Sequence, residues 1–180
     1  MKQFLLCTGL LIAATAVCAQ QGPPKSPSST ASANIAGKNI TITYSSPGVK
    51  GRAGHLFTKD GLIGHDPTYP VWRAGANAAT KLHTDGDLSI GSLLVPKGDY
   101  SLYVDISDPD NWVLAVNKQS LQWGTKYDKS QDLGRVPMTM SKPPALVENL
   151  EYTLTDLGGG QGKLTLAWEW HSASVSIAVH

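Results

Sequence analysis

From residue 34 onward, apolar and polar positions alternate with a period of two, and long helical patterns are absent. Neighbouring side chains of a β-strand point to opposite faces of a sheet, so this alternation is typical of strands that bury one face. The predicted strands cover residues 39–44, 88–90, 93–95, 100–106, 112–116, 135–140, 150–157, 163–171 and 174–179. Short strands at this spacing predict an all-β fold, an antiparallel β-sandwich of jelly-roll type.

Turn residues separate the predicted strands. The dipeptide Gly91-Ser92 predicts a tight hairpin between two of them. Pro137 has no backbone N–H, so its strand is expected at a sheet edge or at a bulge. Only residues 77–80 and 127–133 could hold a helical turn.

The N-terminal residues 1–19 predict a secretory signal peptide. A basic residue, Lys2, precedes an apolar stretch that is shorter than the roughly 20 residues of a membrane span. We expect cleavage after Ala19, which would deliver the mature chain to the periplasm or to the medium. The alternative is a lipoprotein with Cys18 as the lipidated residue, although lipoprotein signals usually carry a smaller residue than Val17 before the cysteine.

A segment rich in Pro, Ser and Ala, residues 20–33, follows the signal. It lacks large apolar side chains, so burial cannot offset the entropy lost on ordering, and we expect a disordered leader. The remaining residues, 34–180, are predicted to form a single β-sandwich domain.

Cysteine content and charge exclude several classes of function. Cys7 and Cys18 both lie in the predicted signal peptide, so the mature chain would have no disulfide and no thiolate for zinc or redox chemistry. The full chain has a net charge of +1, and neither sign is clustered. This pattern argues against nucleic-acid binding. No cofactor, nucleic-acid partner or membrane span is predicted, and the oligomeric state is left open.

The irregular segment of residues 45–80 differs from the rest of the chain. It is about 35 residues long, poor in alternation and rich in Gly, Pro, His and aromatic residues. Loops of this length inside a compact domain are usually either functional or disordered. Tyr69 and Trp72 favour an ordered loop.

Motifs in and around this loop resemble those of the DUF2911 family, which are Y-S-x-P, K-G-R and W-R-x-G-A-N-x-A-T in this order. The matching residues are 44–47 (YSSP), 50–52 (KGR), 71–80 (VWRAGANAAT) and, downstream, 96–102 (PKGDYSL), Trp112, Asn117, Lys118, Trp123, Gly124 and Tyr127. The resemblance spans nearly the whole mature domain, and it implies an exported β-sandwich of unknown function. Residues 59–61 and 64–67 look inserted relative to the family pattern, so a shared site beside them would be altered.

The candidate ligand-binding residues are Arg52, Trp72, Arg73 and Asn77. Arg73 and Asn77 are four positions apart and would share one face of a helical turn. A guanidinium suits carboxylates and phosphates, and Trp72 would add an apolar wall, so the four residues could form a pocket for a small acidic or sugar-like ligand. Alternatively, Arg73 and Asn77 hold the loop together by bonding its backbone. The sequence favours this structural interpretation but leaves both open.

A metal site or a hydrolytic site would have to draw on His55, His65, His83, Asp66 and Asp85. No pair of them has H-x-H or H-E-x-x-H spacing, and His65 and Asp66 would point apart in an extended chain. We therefore predict no metal site. Ser45 and Ser46 lack the G-x-S-x-G nucleophile elbow, so no catalytic residue is predicted either.

Four tryptophans, Trp112, Trp123, Trp168 and Trp170, would suit sugar stacking if they were exposed in a row. Trp168 and Trp170 are two apart in one predicted strand, so they are expected on the same face. Leu164 and Leu166 share that face, which favours its burial in the core.

Together these patterns predict an exported module without catalytic residues. It would bind a small polar or carbohydrate ligand, or it would have a structural role. The alternative is a periplasmic hydrolase that uses histidine and aspartate side chains of the loop 45–80.

Overall fold

The structure is a computed structural model, and it describes residues 25–180. Its strands are β1 (Ser28–Ile35), β2 (Lys38–Ser45), β3 (Val71–Trp72), β4 (Thr80–Thr84), β5 (Leu88–Ile90), β6 (Leu93–Val95), β7 (Gly98–Asp105), β8 (Val113–Asn117), β9 (Asp132–Pro137), β10 (Thr139–Ser141), β11 (Val147–Gly158), β12 (Gln161–Glu169) and β13 (His171–Val179). One short 3-10 helix, Lys129–Gln131, precedes β9. None of the helical segments in this part of the chain is long and apolar enough to cross a membrane.

The strands form two antiparallel sheets packed face to face, which confirms the predicted β-sandwich. The first sheet has the order β1-β2-β4-β7-β8-β9, and β3 pairs with β7. The second has the order β11-β12-β13-β5-β6, and β10 pairs with β13. The edges of the two sheets lie beside each other, because β1 contacts β11 on one side and β6 contacts β9 on the other. This arrangement protects the edge strands from pairing with other chains.

Alternating positions of each strand supply the core, as the period of two predicts. Ile40 and Ile42 of β2 and Leu164 and Leu166 of β12 belong to one core cluster, and all four are almost fully buried. Burying an aliphatic side chain of this kind contributes roughly 1.5–3 kcal/mol. The core residues are therefore the main source of stability for the scaffold that carries the loop 45–80.

The segment 135–140, predicted as one strand, is divided at Met138. Residues before it belong to β9, at the edge of the first sheet, whereas residues after it form β10 on the second sheet. The backbone N–H of Met138 donates to the carbonyl of Trp112 at 2.9 Å, which fixes the crossing point. Pro137 ends the edge strand, in the position that its missing N–H requires.

Of the two segments that could hold a helical turn, only one does. Residues 127–133 contain the 3-10 helix, which Asp128 caps by accepting from the N–H of Ser130. At residues 77–80 no helical turn forms, because Asn77 adopts a left-handed conformation with φ of 62° and the chain enters β4 at Thr80.

The predicted disordered leader is wrong for its last residues. Ser28–Ile35 forms β1, which pairs with β2 along its whole length. Ala31 and Ala33 pack on the core, and Ile35 is fully buried against Gly162, where a Cβ would lie 2.4 Å from the Ile35 Cδ1 atom. Backbone pairing to a preformed strand thus orders a segment whose own side chains bury little. The predicted signal peptide and residues 20–24 of the leader lie outside the described residues.

The expectation that Trp168 and Trp170 share a face is also wrong. Trp168 pairs with His171, so Glu169 and Trp170 form a two-residue turn, with Glu169 at a φ of 57°. Trp168 is buried in the core, as predicted from its parity, whereas Trp170 is 39% exposed. Since Trp112 is buried as well, these tryptophans do not form one exposed row.

Candidate functional site

The loop 45–80 is anchored at its start to β11. The hydroxyl of Ser46 donates to the carbonyl of Leu150 at 2.6 Å in a buried position. Backbone bonds run from Val49 N–H to the Glu148 carbonyl at 2.7 Å and from Leu150 N–H to the Pro47 carbonyl at 3.0 Å. Because these buried groups are paired, the start of the loop has a fixed position on the second sheet.

An aromatic cluster anchors the middle of the loop. The ring of Phe57 lies 5.6 Å from Trp72, 5.0 Å from Trp112, 5.7 Å from Trp168 and 4.6 Å from His171, measured between ring centroids. Most of these pairs are tilted or edge-to-face, the arrangement that aromatic quadrupoles favour. This packing explains why the loop is ordered although it lacks strand periodicity.

A cleft of about 470 Å³ lies between this loop, the chain segment before β1 and the end of β12. It is lined by Lys25, Ser26, Pro47, Gly48, Lys50, Arg52, Leu62, Ile63, His65, Asp66, Pro67, Trp72, Arg73, Gly75, Ala76, Asn77 and Trp168. All four residues proposed from the sequence, Arg52, Trp72, Arg73 and Asn77, are among them. The structure therefore brings these four residues to one cavity, of a size typical of small-molecule sites.

Arg73 forms an ion pair with Asp66 and donates from Nη1 to the backbone carbonyl of Asn77 at 3.0 Å. Partial burial opposes ionisation of Asp66, but hydrogen bonds from Arg73 and Thr68, with the charge of Arg73, hold the pKa of this carboxyl below its usual range. Gly124 covers the pair closely, since a Cβ there would lie 2.2 Å from the Arg73 Cδ atom. The guanidinium is thus neutralised and fixed within the cleft wall.

The other three candidates also bond the backbone or side chains of their own loop. Arg52 donates from Nε to the carbonyl of Val49 at 2.9 Å and from Nη2 to the carbonyl of Gly48 at 2.8 Å. The indole N–H of Trp72 donates to the carbonyl of Gly75 at 3.3 Å. The Asn77 amide donates to the Ser45 hydroxyl at 3.3 Å. These contacts support the structural interpretation of the motif, although the same side chains border the cavity.

Three of the residues that looked inserted in the sequence, His65, Asp66 and Pro67, line the cleft. Asp66, the partner of Arg73, is one of them. Gly61 and Gly64 permit the tight path of the segment, because a Cβ at Gly61 would lie 1.8 Å from the His55 carbonyl oxygen and a Cβ at Gly64 2.0 Å from that of Lys59. Packing therefore requires glycine at both positions.

The histidines are dispersed. His65 lines the cleft, and its Nδ1 lies 2.7 Å from the carbonyl oxygen of Gly61. A carbonyl can only accept, so Nδ1 carries the hydrogen and Nε2 is left as an acceptor in the neutral ring. His83 bonds Asp99 at 2.8 Å on the first sheet, and Asp85 accepts from Asn39. Within residues 25–180, no three His, Cys, Asp or Glu side chains are grouped as a metal ion would require.

Sequence reasoning missed the pair of buried Glu169 and half-buried His171, which follow Trp168 of the cleft lining. Glu169 is 2% exposed, accepts from the N–H of Gly54, and its second oxygen lies 3.3 Å from His171 Nδ1. Burial lowers the pKa of His171, against the opposing effect of Glu169. No spacing rule would have found this pair, because a two-residue turn at positive φ brings it together.

A second polar cluster lies on the outer face of the first sheet, around Arg135. Its guanidinium bonds Asp132 at 2.9 Å, Asp105 at 3.0 Å and the hydroxyl of Tyr127. Burial and the hydrogen bond to Asp132 raise the pKa of Tyr127 to about 12. All three guanidinium nitrogens of Arg135 have protein partners. We therefore infer a structural role for this cluster, which attaches residues 118–131 to the first sheet.

The comparison with protein families identifies one match. Residues 26–177 match the model of DUF2911, a protein family of unknown function. No curated protein and no solved structure shows significant similarity to the chain. The match covers nearly all of the described residues, including the loop and both sheets. The chain therefore belongs to the DUF2911 family.

Proposed function

We propose that this protein is an exported, non-catalytic module that binds a small polar or carbohydrate ligand in the cleft beside the loop 45–80. The observation that carries the proposal is the meeting of Arg52, Trp72, Arg73 and Asn77 at one cavity of about 470 Å³. A cavity of this volume accommodates a ligand of monosaccharide to disaccharide size.

The composition of the cleft supports a ligand with both apolar and polar surfaces. Trp72 and Trp168 stack on each other with centroids 5.8 Å apart and an angle of 19° between their rings, and with Ile63 they form a buried apolar base under the cleft. Leu62, which is 48% exposed, presents apolar surface to the cavity. Basic and amide side chains surround this base. Sugars present apolar C–H faces and polar hydroxyls, so they suit such a mixed surface.

The Arg73–Asp66 pair has a structural role within this proposal. Its two charges satisfy each other and hold the wall of the cleft in place. A binding site is most effective when rigid elements hold its contacting groups. The structural and ligand-binding interpretations of the motif are therefore compatible, since the residues that hold the loop also shape the cavity.

The alternative, a periplasmic hydrolase based on histidine and aspartate of the loop, has less support. His65 and Asp66 both line the cleft, but His65 Nδ1 contacts the Gly61 carbonyl, and Asp66 is paired with Arg73. A general base needs an orienting partner and a nucleophile within hydrogen-bond reach. The hydrogen bonds of residues 25–180 do not join His65 to a carboxylate or to a serine.

The proposed location, periplasmic or secreted, rests on the N-terminal sequence alone. The signal-like residues 1–19 support it.

The proposal is tested by a ligand screen that uses two-dimensional NMR spectra of the protein labelled with nitrogen-15. Neutral and acidic monosaccharides are added, and the indole N–H signals of Trp72 and Trp168 report on the cleft. Ala76→Trp fills the cavity from its lining, and Ala145→Trp, at an exposed position in the loop between β10 and β11, is the matched control. We expect a ligand whose binding the first variant abolishes and the second preserves. Binding that survives Ala76→Trp would contradict the assignment of the cleft.

A further inference from the structure

The charge distribution of the cleft supports an inference about its ligand, which rests on the proposed function and extends it. We infer that the ligand carries an anionic group, and that Lys25, Lys50 and the Nη1 atom of Arg52 bind this group. None of the sequence patterns assigned Lys25 or Lys50 to a site, and Lys25 was placed in a leader expected to be disordered. The ligand class is a polyhydroxylated small molecule with a carboxylate or a phosphate.

The lining of the cleft is strongly basic for this chain. It contains the cations Lys25, Lys50, Arg52 and Arg73 but a single carboxylate, Asp66. Arg73 and Asp66 cancel each other, which leaves three cations without a carboxylate in the lining. The whole chain has a net charge of only +1, so positive charge is concentrated at this cavity.

One acidic group lies close to the cleft and reduces its excess of positive charge. The carboxylate of Glu148 accepts from the backbone N–H of Lys50 at 2.9 Å, but Glu148 does not line the cavity. An excess of two positive charges remains after this group is counted. Clefts with apolar walls concentrate the field of such charges and attract ligands of the opposite sign.

Local structure directs the lysines to one rim. Lys50 has a φ of 49° and Gly51 a φ of 74°, so the chain turns sharply after its bridge to β11 and presents the Lys50 side chain to solvent. The Lys50 ammonium donates to the carbonyl of Lys25 at 3.1 Å, which brings both lysines to the same side of the cleft. A lysine at positive φ is unfavourable by itself, and such conformations are concentrated at functional sites.

Arg52 completes the cationic rim. Its Nε and Nη2 atoms bond loop carbonyls, whereas Nη1 makes no hydrogen bond to residues 25–180. The fixed guanidinium can therefore direct the Nη1 hydrogens at a ligand oxygen without losing its structural bonds. By contrast, Arg73 donates to Asp66 and to the carbonyl of Asn77, so Arg73 is not the residue that binds the anion.

The rest of the cleft offers hydrogen-bond acceptors. Oδ1 of Asn77 can accept from hydroxyl groups, since Nδ2 of this residue donates within the protein. Nε2 of His65 can also accept in the tautomer whose Nδ1 hydrogen donates to the Gly61 carbonyl. Leu62, which lines the cleft and is 48% exposed, would contact the apolar face of the ligand. The combination of cations, acceptors and apolar surface in one cleft matches a sugar acid or a sugar phosphate.

The experiment is isothermal titration calorimetry of the mature protein at low ionic strength, with D-glucuronate, D-glucose 6-phosphate and D-glucose as probes. We expect at least one anionic sugar to bind about tenfold or more tightly than glucose, since hydrogen bonds to charged groups are the stronger ones. The carboxylate and phosphate probes show which anion the rim prefers. Raising the salt concentration should weaken binding of the anion and leave glucose unaffected.

Charge-removing variants locate the anion. Lys50→Gln and Lys25→Gln should each weaken binding of the anionic sugar by about tenfold, whereas Lys163→Gln, at an exposed position of β12, should change it by less than twofold. Unchanged thermal melting of each variant shows that the fold is intact. Equal affinity for glucose and the anions, or full affinity in both cleft variants, would refute the anion site but leave the cleft as a binding site. Anion binding that persists in Ala76→Trp would instead show that the ligand does not bind in the cleft. If neither anionic sugar binds at millimolar concentration, the inference of an anionic ligand is wrong.

Discussion

Replacing Arg73 with alanine removes the group that joins Asp66 to the backbone carbonyl of Asn77. The side chains of Arg73 and Asp66 are only 14% and 8% exposed. The truncation therefore leaves a largely buried carboxylate without its counter-ion, and a loop carbonyl without a donor. We expect a clear loss of stability, because burying an unpaired charge is one of the costliest changes that a single substitution can cause.

The magnitude follows from these two losses. Breaking a buried ion pair by removing one partner costs about 3–5 kcal/mol. The Asp66 carboxylate retains its bonds from the N–H and hydroxyl of Thr68 and borders an open cleft, so water can reach it in the variant. We therefore expect about 3 kcal/mol, which corresponds to a fall of roughly 6–12 °C in Tm for a domain of this size.

Thermal and urea unfolding of Arg73→Ala, Asp66→Ala and the double variant measure this effect. Asp66→Ala should cost less than Arg73→Ala, because the guanidinium keeps its bond to the Asn77 carbonyl and can be hydrated in the cleft. The double variant should be more stable than the sum of the single effects predicts, with a coupling of about 1–2 kcal/mol. Equal melting temperatures of the wild type and Arg73→Ala would refute the structural role of the pair.

Three further predictions concern other parts of the chain. Burial lowers the pKa of His171 below its usual value near 6.5, so the unfolded chain takes up a proton more readily than the folded chain. The contribution of His171 to stability should be full above about pH 6.5 and should decline as the pH falls through the lowered pKa. Thermal melts of His171→Phe, recorded across this pH range, should show a smaller decline. Gly124→Ala should cost about 2 kcal/mol by urea unfolding, because the new methyl group overlaps the Arg73 side chain, and a neutral result would contradict the close covering of the ion pair. Intact-mass measurement of exported protein should show a mature chain that begins at Gln20, whereas a diacylglyceryl mass on Cys18 would establish the lipoprotein alternative.

The sequence by itself was sufficient for the fold class and for the place of the candidate site. Alternation with a period of two is a local property of the chain, and it predicted β2, β5 to β8 and β11 to β13 close to their actual bounds. The motif residues around Trp72 indicated the loop that borders the cleft. The aromatic side chains of this segment favoured an ordered loop, and in the structure Phe57 packs against Trp72 and Trp112.

Tertiary packing decided the features that depend on contacts between distant residues. β1 forms because β2 offers a complete row of backbone partners, which the small polar side chains of residues 28–33 do not reveal. Trp170 leaves the core face because a turn at Glu169 breaks the alternation that its position in the sequence predicts.

The same holds for the chemistry of the cleft. Arg73 meets Asp66 only because the loop folds back on itself, and Lys25 reaches Lys50 only because β1 lies at the edge of the first sheet. A sequence shows which groups are present, but the charge of a site depends on which groups neutralise each other. Here packing pairs the arginine of the motif with Asp66 and leaves the lysines at the rim. The physical reason is that the path of the loop, which no strand periodicity specifies, decides which charges meet.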